Sequence, residues 1–142
     1  MNNAFGNQAN AAGFKQEYRL LSTSGLPVLD CSYLDEIAGL QQDGEPDLIG
    51  NLIQIFVEKT PNSLTTLRLA FVRGNIDAVR KTAHSLKSSS GNMGGVSMSY
   101  ASNALEKLEP YSNEEAARLI VRIESEFEFL KQVLQNRFRE KK

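Results

Sequence analysis

The sequence is poor in the residue types on which most metal and redox chemistry rests. It holds one cysteine, Cys31, one histidine, His84, and no tryptophan in 142 residues. A lone cysteine forms neither an internal disulfide nor a cysteine-based zinc cluster. One histidine excludes a multi-histidine metal site within the chain. Cys31 reads as a small buried hydrophobe. Long apolar runs are also missing: the longest, Leu48 to Val57, is interrupted by Gly50, Asn51 and Gln54, so no membrane span is expected. The first residues, 1–14, have neither a basic stretch nor an apolar stretch of the kind that makes a signal peptide, and the expected location is the cytoplasm. No GxxxxGK[ST] phosphate loop occurs. The net charge of −1 argues against nucleic-acid binding driven by bulk charge. Sustained alternation of apolar and polar residues is absent too, so no sheet is expected.

What is present is one domain's worth of helical periodicity, with 41% hydrophobic and 23% charged residues. Residues 1–24, rich in Asn, Ala, Gly and Ser, read as a tail, or as a short docking helix on Phe14, Tyr18 and Leu21. Residues 25–142 read as the domain. Asp30 is placed to cap a helix with Tyr33, Leu34, Ile37 and Leu40 on its apolar face. A turn at Asp43-Gly44 follows, and Pro46 suits the first turn of the next helix, which carries Leu48, Leu52, Ile55, Phe56 and Lys59. Pro61 is expected to break or bend it. Periodicity resumes through Leu64, Leu67, Phe71 and Val72, and Gly74-Asn75 reads as a helix stop followed by a new cap. The next stripe is Ile76, Val79, Ala83, Leu86, Ser90 and Met93, closed by Gly94-Gly95. Met98, Ala101, Leu105 and Leu108 mark a further helix, stopped by Pro110. Ser112 with Glu115 forms a capping box before the last helix, on Leu119, Ile120, Ile123, Phe127, Leu130, Leu134 and Phe138. The expected fold is all-α: an antiparallel four-helix bundle with an additional N-terminal helix packed against it.

His84 follows the core position Ala83 by one residue, a rotation of about 100° that turns it off the buried stripe. Lys81, Lys87, Ser88 and Gly91 lie at i−3, i+3, i+4 and i+7 on its side. Ser85, Ser88, Ser89, Ser90 and Gly91 are small and indifferent helix formers, which keeps the surface around one imidazole low. Ser90, on the core stripe, reads instead as a close helix crossing. A neutral imidazole, with an ordinary pKa near ~6.5, is a good nucleophile at neutral pH. Residues 68–93 carry five basic side chains against Asp77 alone, whereas residues 106–128 carry seven acids against three bases. That asymmetry favours an acidic partner on the His84 side.

The segment AHSLKSSSGNMGG resembles the histidine-containing phosphotransfer (HPt) domain family. The family pattern is Ala-His-x-Leu-Lys-Gly-small-small, then an apolar residue and Gly. Here it reads Ala83, His84, Leu86, Lys87, Ser88, Ser89, Ser90, Met93 and Gly94. Upstream, Phe56, Pro61, Leu64 and Leu67 look like the preceding helix, and Gly74, Asn75 and Asp77 like the turn into the active helix. Downstream, Met98, Leu105 and Glu106 look like the family's Leu…Leu-Glu helix. The resemblance spans roughly residues 28–138. Its one departure is Ser88, where the family usually has Gly; the serine adds a hydroxyl and some bulk to the docking surface.

The resemblance implies a phosphorelay intermediate. His84 would take a phosphoryl group from the phospho-aspartate of a receiver domain, often part of a hybrid sensor kinase, and pass it to the aspartate of another response regulator. Lys87 would neutralise phosphoryl charge and help orient the imidazole. Lys81, Ser88 and Gly91 would form the receiver-binding surface. The chain would bind no cofactor of its own, Mg²⁺ being supplied by the receiver, and would be a monomeric phosphocarrier rather than an enzyme. The rival reading is a helical interaction module, never phosphorylated, whose basic face binds an acidic partner. A serine–histidine hydrolase has little support: no G-x-S-x-G or S-x-x-K occurs, and serines one or two residues from His84 on one helix diverge from it.

Overall fold

The computed structural model describes residues 29–44 and 46–138. The tail and the docking helix expected on Phe14, Tyr18 and Leu21 lie outside these residues. Five helices follow in order: α1 (Ser32–Leu40), α2 (Leu48–Val72), α3 (Ile76–Asn92), α4 (Val96–Glu106) and α5 (Asn113–Phe138). No strand occurs among the described residues. Short connections force antiparallel neighbours. α3 packs on α2 and α4, and α5 packs on the same two, so α2–α5 close into a four-helix ring with α1 against α2. The expected all-α bundle with an added N-terminal helix is the observed one.

Local signals account for most boundaries. α2 stops at a left-handed Gly74 with φ +70°. Gly74 N–H donates to Phe71 O and Asn75 N–H to Ala70 O, each at 3.0 Å, the two bonds of a Schellman turn. Asn75 then caps α3, its Oδ1 accepting Ala78 N–H at 3.1 Å. α3 stops in the same way, at Gly94 with φ +81°, where Gly94 N–H reaches Gly91 O and Gly95 N–H reaches Ser90 O. Ser112 Oγ accepts Glu115 N–H at 3.1 Å, although the Glu115 carboxylate turns to Arg118 instead of completing the box.

Several expectations are corrected. Asp30 acts from one position further out than a cap: Cys31 is the N-cap, and Asp30 Oδ1 accepts from both N–H and Oγ of Ser32. In α1 only Leu34 is buried; Tyr33 and Leu40 face solvent, because this helix touches the bundle along a narrow line. Pro46 precedes the cap of α2, which is Asp47, whose carboxylate accepts Gly50 N–H at 3.0 Å. The buried face of α2 is Ile49, Ile53, Phe56, Thr60, Leu67 and Ala70, while Leu48 and Ile55 are exposed. Apolar residues on both sides of this helix left its orientation open to the neighbours it packs on. Pro61 does not break α2, which runs through it. The proline ring sits on the exposed side, and buried Phe56, Thr60 and Leu67 anchor the helix before and after it. α4 ends at Glu106, before Pro110 is reached.

The stripe on α3 is buried as expected at Val79, Ala83, Leu86, Ser90 and Met93, with Ile76 partly exposed. On α5, Ile120, Ile123, Phe127, Leu130, Leu134 and Phe138 are buried and Leu119 is half-buried. Phe56 meets Phe127 edge-on, with centroids 5.6 Å apart and planes at 67°, a geometry that adds about 0.5–1.5 kcal/mol to area burial. Cys31 is buried, as a small hydrophobe would be. This core fixes the rotation of α3, and with it the direction of His84.

Candidate functional site

With Ala83 and Leu86 locked inward, His84 stands out of the bundle, its side chain 59% exposed. Lys81, Ser88 and Gly91 are exposed along the same stripe of α3. A Cβ on Gly91 would meet Ser99 Oγ at 3.4 Å, ordinary contact. Packing therefore does not demand glycine there, and its effect is to keep the surface low. Ser90 is fully buried on the core stripe, with Oγ donating to Leu86 O of its own helix at 2.7 Å.

α3 and α4 run antiparallel about the turn at residue 95. Residues equally far from that turn face one another: 91 with 99, 87 with 103, and 84 with 106. His84 Nδ1 lies 2.9 Å from Glu106 Oε2. Lys87 Nζ lies 2.8 Å from Glu106 Oε1 and 3.3 Å from Asn103 Oδ1. Lys87 and His84 thus meet through a shared carboxylate. The Glu106 side chain is only 17% exposed. Its contact with the Lys87 ammonium is the main cause that holds its carboxyl below the ordinary glutamate range; desolvation opposes this, and His84 lowers it further.

An ionised carboxylate only accepts hydrogen bonds. The nitrogen facing Glu106 must therefore be the donor, and a neutral His84 carries its proton on Nδ1. Nε2 is left with its lone pair and has no hydrogen-bond partner among the described residues. The site presents one nucleophilic nitrogen, outward, on a ring held from behind. Among the described residues no three His, Cys, Asp or Glu side chains gather where they could hold a metal ion.

Glu106 and Asn103 were not among the site residues expected from sequence. Reflection about the Gly94-Gly95 turn would have paired them with His84 and Lys87, but it requires knowing that α3 and α4 lie side by side. The expected basic patch is also partly cancelled. Arg68, Arg80 and Lys87 each pair with an acid from the acidic stretch: Glu124 at 2.8 Å, Glu109 at 3.3 Å and Glu106 at 2.8 Å. Arg73 and Lys81 have no ion-pair partner among the described residues. Beside Lys87 and Asn103 opens a groove of about 570 Å³, lined also by Gly91, Ser99, Tyr33 and Tyr100.

Fold and site together define a helical-bundle protein that displays a single carboxylate-backed imidazole. A family model described as the Hpt domain matches residues 51–136, from the start of α2 almost to the end of α5, and the chain belongs to that family. In fold it is similar to the solved histidine-containing phosphotransfer protein MtHPt2 from Medicago truncatula. The TM-score is 0.71 at 23% identity, covering 94% of this chain and 85% of that one. No curated protein matches the chain. Hpt domain proteins are phosphocarriers rather than kinases and work with receiver domains, so the chain has a phosphotransfer role in a phosphorelay. None of the helices among the described residues is long and apolar enough to cross a membrane.

Proposed function

We propose that His84 accepts a phosphoryl group from the phospho-aspartate of one receiver domain and passes it to the aspartate of a second, as a monomeric cytoplasmic carrier without kinase activity of its own. The observation that carries this reading is the outward Nε2 on a ring whose Nδ1 is held by Glu106. The Nε2 lone pair attacks phosphorus in line. As the N–P bond forms, the P–O bond to the aspartate breaks, and its electron pair stays on the leaving carboxylate. The positive charge that develops on the ring faces the Glu106 carboxylate, which stabilises it through the Nδ1–H bond. Lys87, tied to Glu106 and Asn103, adds positive charge beside the phosphoryl group. Lys81, Ser88 and Gly91 form the edge on which the receiver lands.

A divalent cation for this chemistry belongs with the receiver's acidic pocket. The one carboxylate beside His84 is already committed to Lys87 and Nδ1, which makes it a poor Mg²⁺ ligand.

The test mixes the purified protein with a panel of phosphorylated receiver domains and Mg²⁺. Rapid label transfer from at least one is expected, to a product labile in acid and stable in alkali, and absent in a folded His84→Gln variant. Labelling that survives His84→Gln, or no transfer from any receiver, would refute the proposal.

A further inference from the structure

α4 ends differently from the two helices before it. α2 and α3 stop at Gly74 and Gly94, whose positive φ lets the chain double back onto its own last carbonyls. α4 stops at Lys107 with φ −97° and ψ 8°, with no glycine at its end. The last carbonyls of a helix need donors from somewhere. Asn103 O and Leu105 O take the N–H groups of Lys107 and Leu108, at 2.9 and 3.3 Å, whereas the carbonyl of Glu106, the last residue of α4, takes its donor from another helix. Arg80 Nη1 donates to Glu106 O at 3.0 Å, and Arg80 Nη2 donates to Leu108 O at 2.9 Å and to Glu109 Oε1 at 3.3 Å. The guanidinium also lies 5.8 Å from the Tyr111 ring centroid. Its side chain is 28% exposed, so these bonds are only partly open to water.

Arg80 stands one helical turn before His84 on α3. The residue whose backbone it grips is the residue whose side chain holds His84. One rigid helix therefore carries both the imidazole and the clamp that sets how far the Glu106 peptide sits from it. We propose that Arg80 is a positioning residue: by fixing the end of α4 against α3, it keeps the Glu106 carboxylate on His84 Nδ1 and so keeps the proton there and the lone pair on Nε2. Its consequence for phosphoryl transfer rests on the function proposed above; its consequence for the ring does not.

Because His84 is the only histidine, its ring nitrogens are read without ambiguity by long-range ¹H–¹⁵N NMR on the full chain. The wild type is expected to show one tautomer, protonated at Nδ1. Arg80→Ala and Glu106→Gln are both expected to move the two ¹⁵N shifts toward an averaged pair, whereas Glu109→Gln, which removes only the outer side-chain contact, leaves them in place. In transfer from a phosphorylated receiver, Arg80→Ala is expected to slow acceptance on the order of tenfold at unchanged receiver affinity. In a Glu106→Gln background it should add less than about twofold, since the path through the carboxylate is already cut. Ring shifts unchanged in folded Arg80→Ala, or an equal slowing in the Glu106→Gln background, would overturn the assignment. If Arg80→Ala does not fold, Arg80→Lys takes its place under the same criteria, since lysine keeps the charge but lacks the fork. Should no receiver phosphorylate the wild type, the proposed function fails and the ring shifts alone decide the role of Arg80.

Discussion

At His84 the chemistry comes down to one carboxylate shared by the imidazole and Lys87, with Lys107 Nζ 4.0 Å away. Glu106 Oε1 serves Lys87 and Oε2 serves the imidazole, so protonating the group removes the charge that attracts Lys87 and weakens the bond to the ring. Its carboxyl is depressed in the folded protein. A depressed acid contributes stability that is fully present above its unfolded value and is lost as pH falls through the folded one. The stability difference between wild type and Glu106→Gln should therefore hold steady from neutral pH down to the ordinary glutamate range and shrink below it. Urea unfolding of both proteins at a series of pH values measures this; a gap that stayed constant into strong acid would show that the carboxylate charge contributes nothing. His84, Lys87 and the small residues after them were legible because they lie within two turns of one helix. Glu106 was visible only as part of a resemblance, with no task assigned, because its partner lies 22 residues away.

Among the elements, the helix ends separate what is local from what is not. Gly74-Asn75 and Gly94-Gly95 were readable as stops because a left-handed turn favours glycine wherever it occurs. Their surroundings differ. A Cβ on Gly74 meets nothing within 4 Å, whereas one on Gly94 would overlap the backbone carbonyl of Asp30, the residue whose N–H donates to Gly94 O at 2.6 Å. Gly74→Ala should cost about 1 kcal/mol, the backbone penalty alone. Gly94→Ala should cost about 1–3 kcal/mol more, because the segment leading into α1 must move. Midpoints of chemical denaturation at constant slope test the order; equal costs would mean that the Asp30 contact is soft. Pro61 shows the opposite case. A local rule predicts a break, yet the 25-residue helix α2 continues, because its buried contacts on both sides outweigh about 3 kcal/mol of proline penalty. α4 ends at Glu106 and not at Pro110, and there the carbonyl of its last residue is held by Arg80, a residue of a different helix.

Across the whole molecule, α3 and α5 sit on opposite sides of the ring formed with α2 and α4, which separates the basic and acidic stretches much as the charge count suggests. Folding then cancels part of that separation, since Arg68, Arg80 and Lys87 are paired. These pairs are partly open to water, and each weakens the field a partner meets. Steering should accordingly be modest. Raising ionic strength from about 0.05 to 0.5 M should slow association with a cognate receiver by less than about tenfold, and Lys81→Ala should remove much of that dependence. Stopped-flow association rates decide this; a steep dependence that Lys81→Ala leaves intact would place the steering charges elsewhere.

By itself the sequence determined the helices, the stops and caps at Gly74-Asn75, Gly94 and Ser112, the buried stripe of α3 and hence the outward direction of His84. All of these follow from interactions between residues a few positions apart. Only the tertiary structure decided which carboxylate meets Nδ1, that Arg80 closes the end of α4, and that Arg68 spends its charge on a glutamate 56 residues away. Such pairings depend on how whole helices slide and rotate against one another, and that register is set by the packing of the entire core.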